Sequence, residues 1–294
     1  MTIRLRLIPA LFLLSTLCQA EIVVPDHTGQ TLRLTKPAVR IVSLAPHITE
    51  NLFAIGAGGR IVATVDFSDY PPAAQKIPRL GNHTRIDLEA LLTYQPDLVI
   101  AWKDGNPPAL IDQLRTLGLP IYVSQSVHIE SLADELERYG QLTGQPRAGD
   151  DAARRFRQRL AGLNSRYAKK PTVRVFYEIW NQPLMTVGGT QIISEAIRLC
   201  GGENIFGHLR TLVPTVSIES VLAAKPEAIV TADPSDSQPQ WLNAWKQWPQ
   251  LPAVARGNLF HIHPDLMQRH TPRLLEGAEQ LCTQLDEARR RTHE

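Results

Sequence analysis

The chain is short of cysteine, of one-sided charge and of long apolar runs. Three cysteines occur in 294 residues, too few for a small disulfide-held scaffold. The formal net charge is +2, which excludes the basic stripe of an ordinary nucleic-acid binder. Catalytic signatures are missing as well. There is no G-x-S-x-G elbow, no G-x-x-x-x-G-K-S/T loop and no G-x-G-x-x-G after a strand. Gly56 to Gly59 and Gly201-Gly202 each follow a helical pattern, so they read as helix ends and turns rather than phosphate cradles.

The one apolar run of note is at the start. Arg4 and Arg6 precede Leu7 to Leu17, and Cys18-Gln19-Ala20 offers small residues for cleavage before Glu21. This predicts a signal peptide over 1–20 and an exported, periplasmic mature protein. Leu17 occupies the position where a lipoprotein signal has a small residue, which favours cleavage after Ala20 over lipidation of Cys18. The run is too short to span a bilayer. Two cysteines then remain, Cys200 and Cys282. In an exported chain they form either a disulfide within the second half or two buried thiols.

What the chain does contain is a repeat. Asp87 begins D-L-E-A-L-L-T-Y-Q-P-D-L-V-I-A-W, and Ser217 begins S-I-E-S-V-L-A-A-K-P-E-A-I-V-T-A-D. Each copy reads as an N-cap, a short amphipathic helix, a helix-stopping proline and a buried strand. Glu89 matches Glu219 and Pro96 matches Pro226 without a gap. One copy in each half predicts two lobes of similar build. Strand and helix alternate throughout, so the expected fold is α/β: two Rossmann-like lobes with central parallel sheets. The expected boundaries are 21–146 for the first lobe, 147–170 for a single long linking helix and 171–294 for the second. That helix, starting near Gly149 or Asp150, ends at Pro171. In such sheets ligands bind beyond the carboxyl ends of strands. Phe67, Tyr70, Trp102 and Trp180 all fall at those ends. Each alone fits an ordinary core position; together they suggest a large, mostly apolar cleft.

These residues also carry a family resemblance. S-L-A-P-H-I-T-E, F-S-D-Y-P-P, L-E-x-L-L-x-x-x-P-D-L-V-I-A-W, C-G-G-E-N-I-F and the late P-R-L resemble periplasmic substrate-binding proteins of ABC importers, above all the cobalamin-binding members. The resemblance covers essentially the whole mature chain. It implies a corrinoid held edge-on between the lobes, as cargo rather than cofactor, and no enzymatic activity. It also implies a partner in an inner-membrane ABC permease and ATPase complex, and a monomer when free. Glu89 and Glu219 match the family's permease-docking glutamates, though each also fits an ordinary first-turn glutamate favoured by the helix dipole. Cys200 and Cys282 fall where the family has its disulfide. The implied ligand-binding residues are Phe67, His83, Trp102 and Trp180, with the loop Asp265, Leu266, Met267, Gln268 and Arg269. Phe67 stands where the family has a tyrosine, and His83 where it has a tryptophan. A second family tryptophan falls near Val213. A neutral His83 imidazole could coordinate cobalt if the corrinoid's own base were absent.

Two other readings follow from the residues. The same receptor type could carry haem or a ferric siderophore, with Tyr70 and His83 as axial candidates for haem. From a different class, an exported metal-dependent hydrolase could use His261, His263 and His270; no metal site is expected otherwise.

Overall fold

A computed structural model describes residues 21–234 and 240–292, so the expected signal peptide lies outside the described residues. The first lobe opens with an antiparallel hairpin of β1 (Ile22–Pro25) and β2 (Thr31–Leu34). Then come β3 (Ile41–Ser43), α1 (Pro46–Ala54) and β4 (Ile61–Ala63). A second hairpin, β5 (Gly81–Asn82) with β6 (Arg85–Ile86), leads into α2 (Leu88–Thr93) and β7 (Leu98–Trp102). The lobe ends with α3 (Pro108–Thr116), β8 (Ile121–Ser124) and α4 (Ser131–Leu142). The linking helix is α5 (Pro146–Tyr167).

The second lobe begins with β9 (Val173–Glu178) and a hairpin of β10 (Trp180–Asn181) and β11 (Leu184–Met185). It continues through α6 (Ile192–Leu199), β12 (Gly202–Asn204), α7 (Ile218–Ala224) and β13 (Ala228–Thr231). Last come α8 (Gln240–Trp245), α9 (Pro252–Ala255), β14 (Leu259–His261), α10 (Pro264–Met267) and α11 (Leu274–Thr292).

Each lobe is built on a four-stranded parallel sheet, ordered β4-β3-β7-β8 in one and β12-β9-β13-β14 in the other. In both, the lobe's second sheet strand lies at the edge beside the first, followed by the third and fourth. The repeat extends to single hydrogen bonds. The Asp87 carboxylate accepts from the Ala90 N–H at 2.9 Å, and the Ser217 hydroxyl accepts from the Ser220 N–H at 3.2 Å. Both helices end on a left-handed residue before the proline, Gln95 at φ 44° and Lys225 at φ 47°. The acid after the proline then ties back to the start of the lobe's first sheet strand. Asp97 accepts from the Val39 and Arg40 N–H groups, and Glu227 accepts from the Arg174 N–H at 2.9 Å.

Pro146 opens α5 because its missing N–H falls at a position without an intrahelical partner. The helix buries Ala152, Phe156, Leu163 and Tyr167 along one face, packed on α4 and α11. That face joins a single core cluster holding Ile41 and Leu98 of the first lobe with Val175 and Val230 of the second. The lobes are thus welded along one side. Separate clusters cover the outer sheet faces, around Leu91 and Leu114 in the first lobe and Val221 and Trp245 in the second.

Local departures from expectation have steric or polar causes. Helix α1 starts at Pro46 after an extended Ala45, and within it the Thr49 hydroxyl is buried against Ser43 (2.8 Å) and Thr64 (2.7 Å). Gly201 ends α6 at φ 69° as expected, but Gly202 opens the edge strand β12. A Cβ there would lie 2.8 Å from Ile197 Cγ2, so the close approach requires glycine. The expected loop from Asp265 to Arg269 overlaps α10, which is capped by His263, whose Nδ1 accepts from the Asp265 N–H at 3.2 Å. Of the two readings for the thiols, the disulfide holds: Cys200 at the end of α6 bonds Cys282 in α11.

Candidate functional site

Parallel sheets present their strand ends at one edge, and here those edges meet. In the first lobe β7 delivers Trp102, and the turn behind it is organised by buried Asn106. The Asn106 side chain accepts from the Trp102 N–H at 2.6 Å and donates to the carbonyls of Leu44 (3.0 Å) and His83 (2.7 Å). Three strand-end loops are therefore set by one amide. Gly105 leaves room for the Trp102 indole, since a Cβ there would meet its ring.

Between the lobes lies a cavity of about 810 Å³, within the range of small-molecule clefts. Its first-lobe wall is Trp102, Asp104 and the segment Gln125 to His128. Its second-lobe wall is Ile179, the segment Gly189 to Ile192, Glu195, Arg198, Leu212, Val213, Gln268 and His270. The lobes are tied on two sides of it. On one, Arg273 makes two hydrogen bonds to Glu50 (2.7 and 2.6 Å), Arg269 pairs with Asp69 at 2.6 Å, and Asn51 donates to the His270 carbonyl at 3.0 Å. On the other, Glu195 accepts from the Ile129 N–H at 2.9 Å. Burial pushes the Asp69 carboxyl up, but the Arg269 hydrogen bond outweighs it and holds it below the usual range.

Three histidines gather around Trp102. His47 meets its indole edge-on at 5.1 Å, His83 lies 5.9 Å from it, and His47 and His270 are 6.0 Å apart. Burial lowers the His47 imidazole to about 3, helped by repulsion from His270, Arg269 and His83. His270 is lowered by burial too, with Asp104 acting weakly the other way. Both rings are neutral at ordinary pH.

Of the residues predicted for ligand binding, Trp102 and Gln268 line the cavity. His83 packs against Trp102 without lining it. Phe67 is 74% and Trp180 50% exposed. Asp265 and Arg269 pair with each other at 3.0 Å, and Leu266 and Met267 pack toward the core. Tyr70 lies under the Arg273 guanidinium, 3.7 Å from the ring centre. The three hydrolase candidates diverge. His261 bonds the Asp233 carbonyl at 2.7 Å, His263 caps α10, and His270 faces the cavity. Among the described residues no group of three or more His, Cys, Asp or Glu is placed to hold a metal ion.

Sequence reasoning missed His47, Asn106 and the two cavity-wall segments. The signal for Asn106 was its place four residues after a strand-ending tryptophan. Val213, noted only as the position of a family tryptophan, does line the cavity. Glu89 and Glu219 are both exposed in the first turn of α2 and α7, one per lobe. The Glu219 N–H and the Ser217 hydroxyl hold the Glu219 carboxyl below its usual range.

The periplasmic binding protein family matches residues 41–266. A vitamin B12-binding protein of Vibrio cholerae is 41% identical over 249 residues, covering 85% of this chain and 90% of the relative. The crystal structure of the periplasmic vitamin B12 binding protein BtuF of Vibrio cholerae superposes with a TM-score of 0.80 at 40% identity, covering 86% of this chain and 98% of that one. The periplasmic heme-binding protein BhuT, in complex with two hemes, shares the fold at a TM-score of 0.76 and 21% identity, covering 86% and 99%. The two repeated lobes, the single linking helix and the cleft at their strand ends are those of the periplasmic binding protein family, to which this chain belongs.

Proposed function

We propose that this chain is a periplasmic receptor that captures cobalamin, or a related corrinoid, between its lobes and delivers it to an inner-membrane ABC importer. The observation that carries the reading is the 810 Å³ interlobe cavity with Trp102 on its wall, in a chain 41% identical to a vitamin B12-binding protein. The indole and the aliphatic wall of Ile179, Ile192, Leu212 and Val213 supply apolar contact. Gln125, Gln191 and Gln268 offer amides that suit a ligand rimmed with amides. The protein binds and releases; it performs no covalent chemistry. Exposed Phe67 and Trp180 stand ready as aromatic rims. Glu89 and Glu219, one acid on each lobe, meet basic residues of the permease.

The test is calorimetric titration of the mature protein with cyanocobalamin, beside an uptake assay. Wild type binds one equivalent, and Trp102→Ala weakens binding about tenfold, or about 1.4 kcal/mol. Glu89→Lys combined with Glu219→Lys abolishes uptake at unchanged affinity. Binding of haemin in place of cobalamin overturns the cargo, and uptake by the doubly reversed protein overturns the docking.

A further inference from the structure

The cavity wall holds an imidazole that the receptor reading leaves without a task. His270 lines the cavity, and among the described residues its ring takes part in no hydrogen bond. Its position is nevertheless fixed. The backbone carbonyl accepts from the Asn51 side chain at 3.0 Å, so a second-lobe residue is anchored to the first lobe. The ring packs 6.0 Å from His47, and its neighbour Arg269 is held by Asp69 and Asp265. His128 also lines the cavity but sits at the mouth, 72% exposed and 3.6 Å from the Glu195 carboxylate.

An anchored imidazole with no hydrogen bond among the described residues is a poor structural device and a good donor. A free ion needs three or four protein ligands, which are not grouped here among the described residues. A metal already held in a macrocycle needs only one more, at an open axial position.

We propose that His270 is an axial ligand to the cobalt of bound corrinoids that lack a lower base. The proposal rests on the corrinoid reading above. The step is a ligand exchange at cobalt(III): the lone pair of one ring nitrogen forms the cobalt bond, a coordinated water leaves, and the other nitrogen keeps its proton. Cyanocobalamin, with both axial positions filled, binds without this bond. The site would therefore accept complete and incomplete corrinoids by different contacts.

The experiment titrates wild type, His270→Ala, His270→Phe and His83→Ala with diaquocobinamide, recording the visible spectrum. The cobalt(II) form is then examined by electron spin resonance, and cyanocobalamin affinity serves as the control for an intact cleft. Wild type and His83→Ala shift the cobinamide spectrum and show nitrogen splitting from one imidazole. Both His270 variants lose the shift and the splitting while still binding one equivalent of cyanocobalamin, which shows that the cleft is intact. Cobinamide bound by wild type without a shift overturns the proposal, as does a shift that survives in the His270 variants or disappears in His83→Ala. Wild type that binds no corrinoid at all defeats the receptor reading itself. A haemin spectrum that alone depends on His270 overturns the assignment to cobalt.

Discussion

In the first lobe, the buried Glu135 carboxylate takes hydrogen bonds from His27 (2.6 Å), Tyr122 (2.8 Å), Ser124 (2.6 Å) and Arg138 (3.1 Å). In the second, buried Glu178 accepts one among the described residues, from the Trp245 indole N–H at 2.7 Å. Burial pushes both carboxyls up. For Glu135 the donors outweigh burial and hold the group below its usual range. For Glu178 they do not: burial, with Asp233 nearby, raises it from 4.5 to about 7 despite Trp245. The Tyr122 and Tyr139 hydroxyls are bonded in the first lobe, whereas Tyr177 OH and Thr231 Oγ1 of the second lack partners among the described residues. The same strand order therefore tolerates a fully satisfied buried charge in one lobe and a half-neutral acid in the other. The lobe that holds the less satisfied acid is also the one with a covalent staple.

Removing that staple is the largest test of the contrast. Cys200 and Cys282 lie 82 residues apart, and a loop of that length implies a loss of about 4–5 kcal/mol by chain entropy. Cys200→Ala with Cys282→Ala should lower the urea midpoint accordingly. Amide exchange should rise most in α6 and α11 and least in α4. Equal loss of protection in both lobes would show that the disulfide does not act on the second lobe alone.

Matched glutamine substitutions test the two acids, and their signs differ. Folded Glu178 holds its proton more tightly than the unfolded carboxyl does. Its contribution is full below about pH 4.5 and is lost as pH rises through about 7. Glu178→Gln keeps an oxygen for Trp245 and removes that loss, raising stability at pH 8 by about 1–3 kcal/mol. Glu135 is the reverse: its stabilisation is present above the unfolded value of 4.5 and fades as pH falls through the lowered folded value. Glu135→Gln should lose about 3 kcal/mol at pH 7, because the Arg138 charge is left unmatched. The deficit shrinks in acid. Urea titrations across pH check both, and a Glu178→Gln protein that is weaker at pH 8 would contradict the neutral-acid reading.

The architecture was legible because it rests on periodic and punctuating residues. Asp87, Ser217, Pro96 and Pro226 mark caps and stops, and the apolar runs after them can only be buried strands. The disulfide followed from compartment and family. The cleft was legible only in part, because its walls come from segments with no pattern of their own. Gln125 to His128 and Gly189 to Ile192 become neighbours only when both sheets are built. Arg269 shows the same limit from the other side. Its sequence position suits a ligand contact, but its charge is matched by Asp69, some 200 residues away, and no local pattern foretells that pair.

The smallest effect separates the two exposed aromatics, Phe67 and Trp180. Trp180 is supported: its indole N–H donates to the Gln182 carbonyl at 3.0 Å and its ring meets Trp241 at 5.8 Å. Phe67 has no such support. It sits at φ 64° with 74% of its surface exposed, a left-handed conformation that costs an L-residue about 1–2 kcal/mol. The conformation is held by the turn in which the Ser68 N–H donates to the Val65 carbonyl at 3.3 Å, and it leaves the ring in solvent, consistent with a ring held out for a ligand. Phe67→Gly should therefore stabilise the free protein by about 0.5–1 kcal/mol, the relief being reduced by glycine's greater unfolded freedom. It should weaken cobalamin binding by about fivefold, or ~1 kcal/mol. Trp180→Gly should lose in both respects. Thermal unfolding beside ligand titration separates the two cases. If Phe67→Gly gains stability at unchanged affinity, the exposed ring is not part of the cleft, and the two aromatics are unlike in function as well as in support.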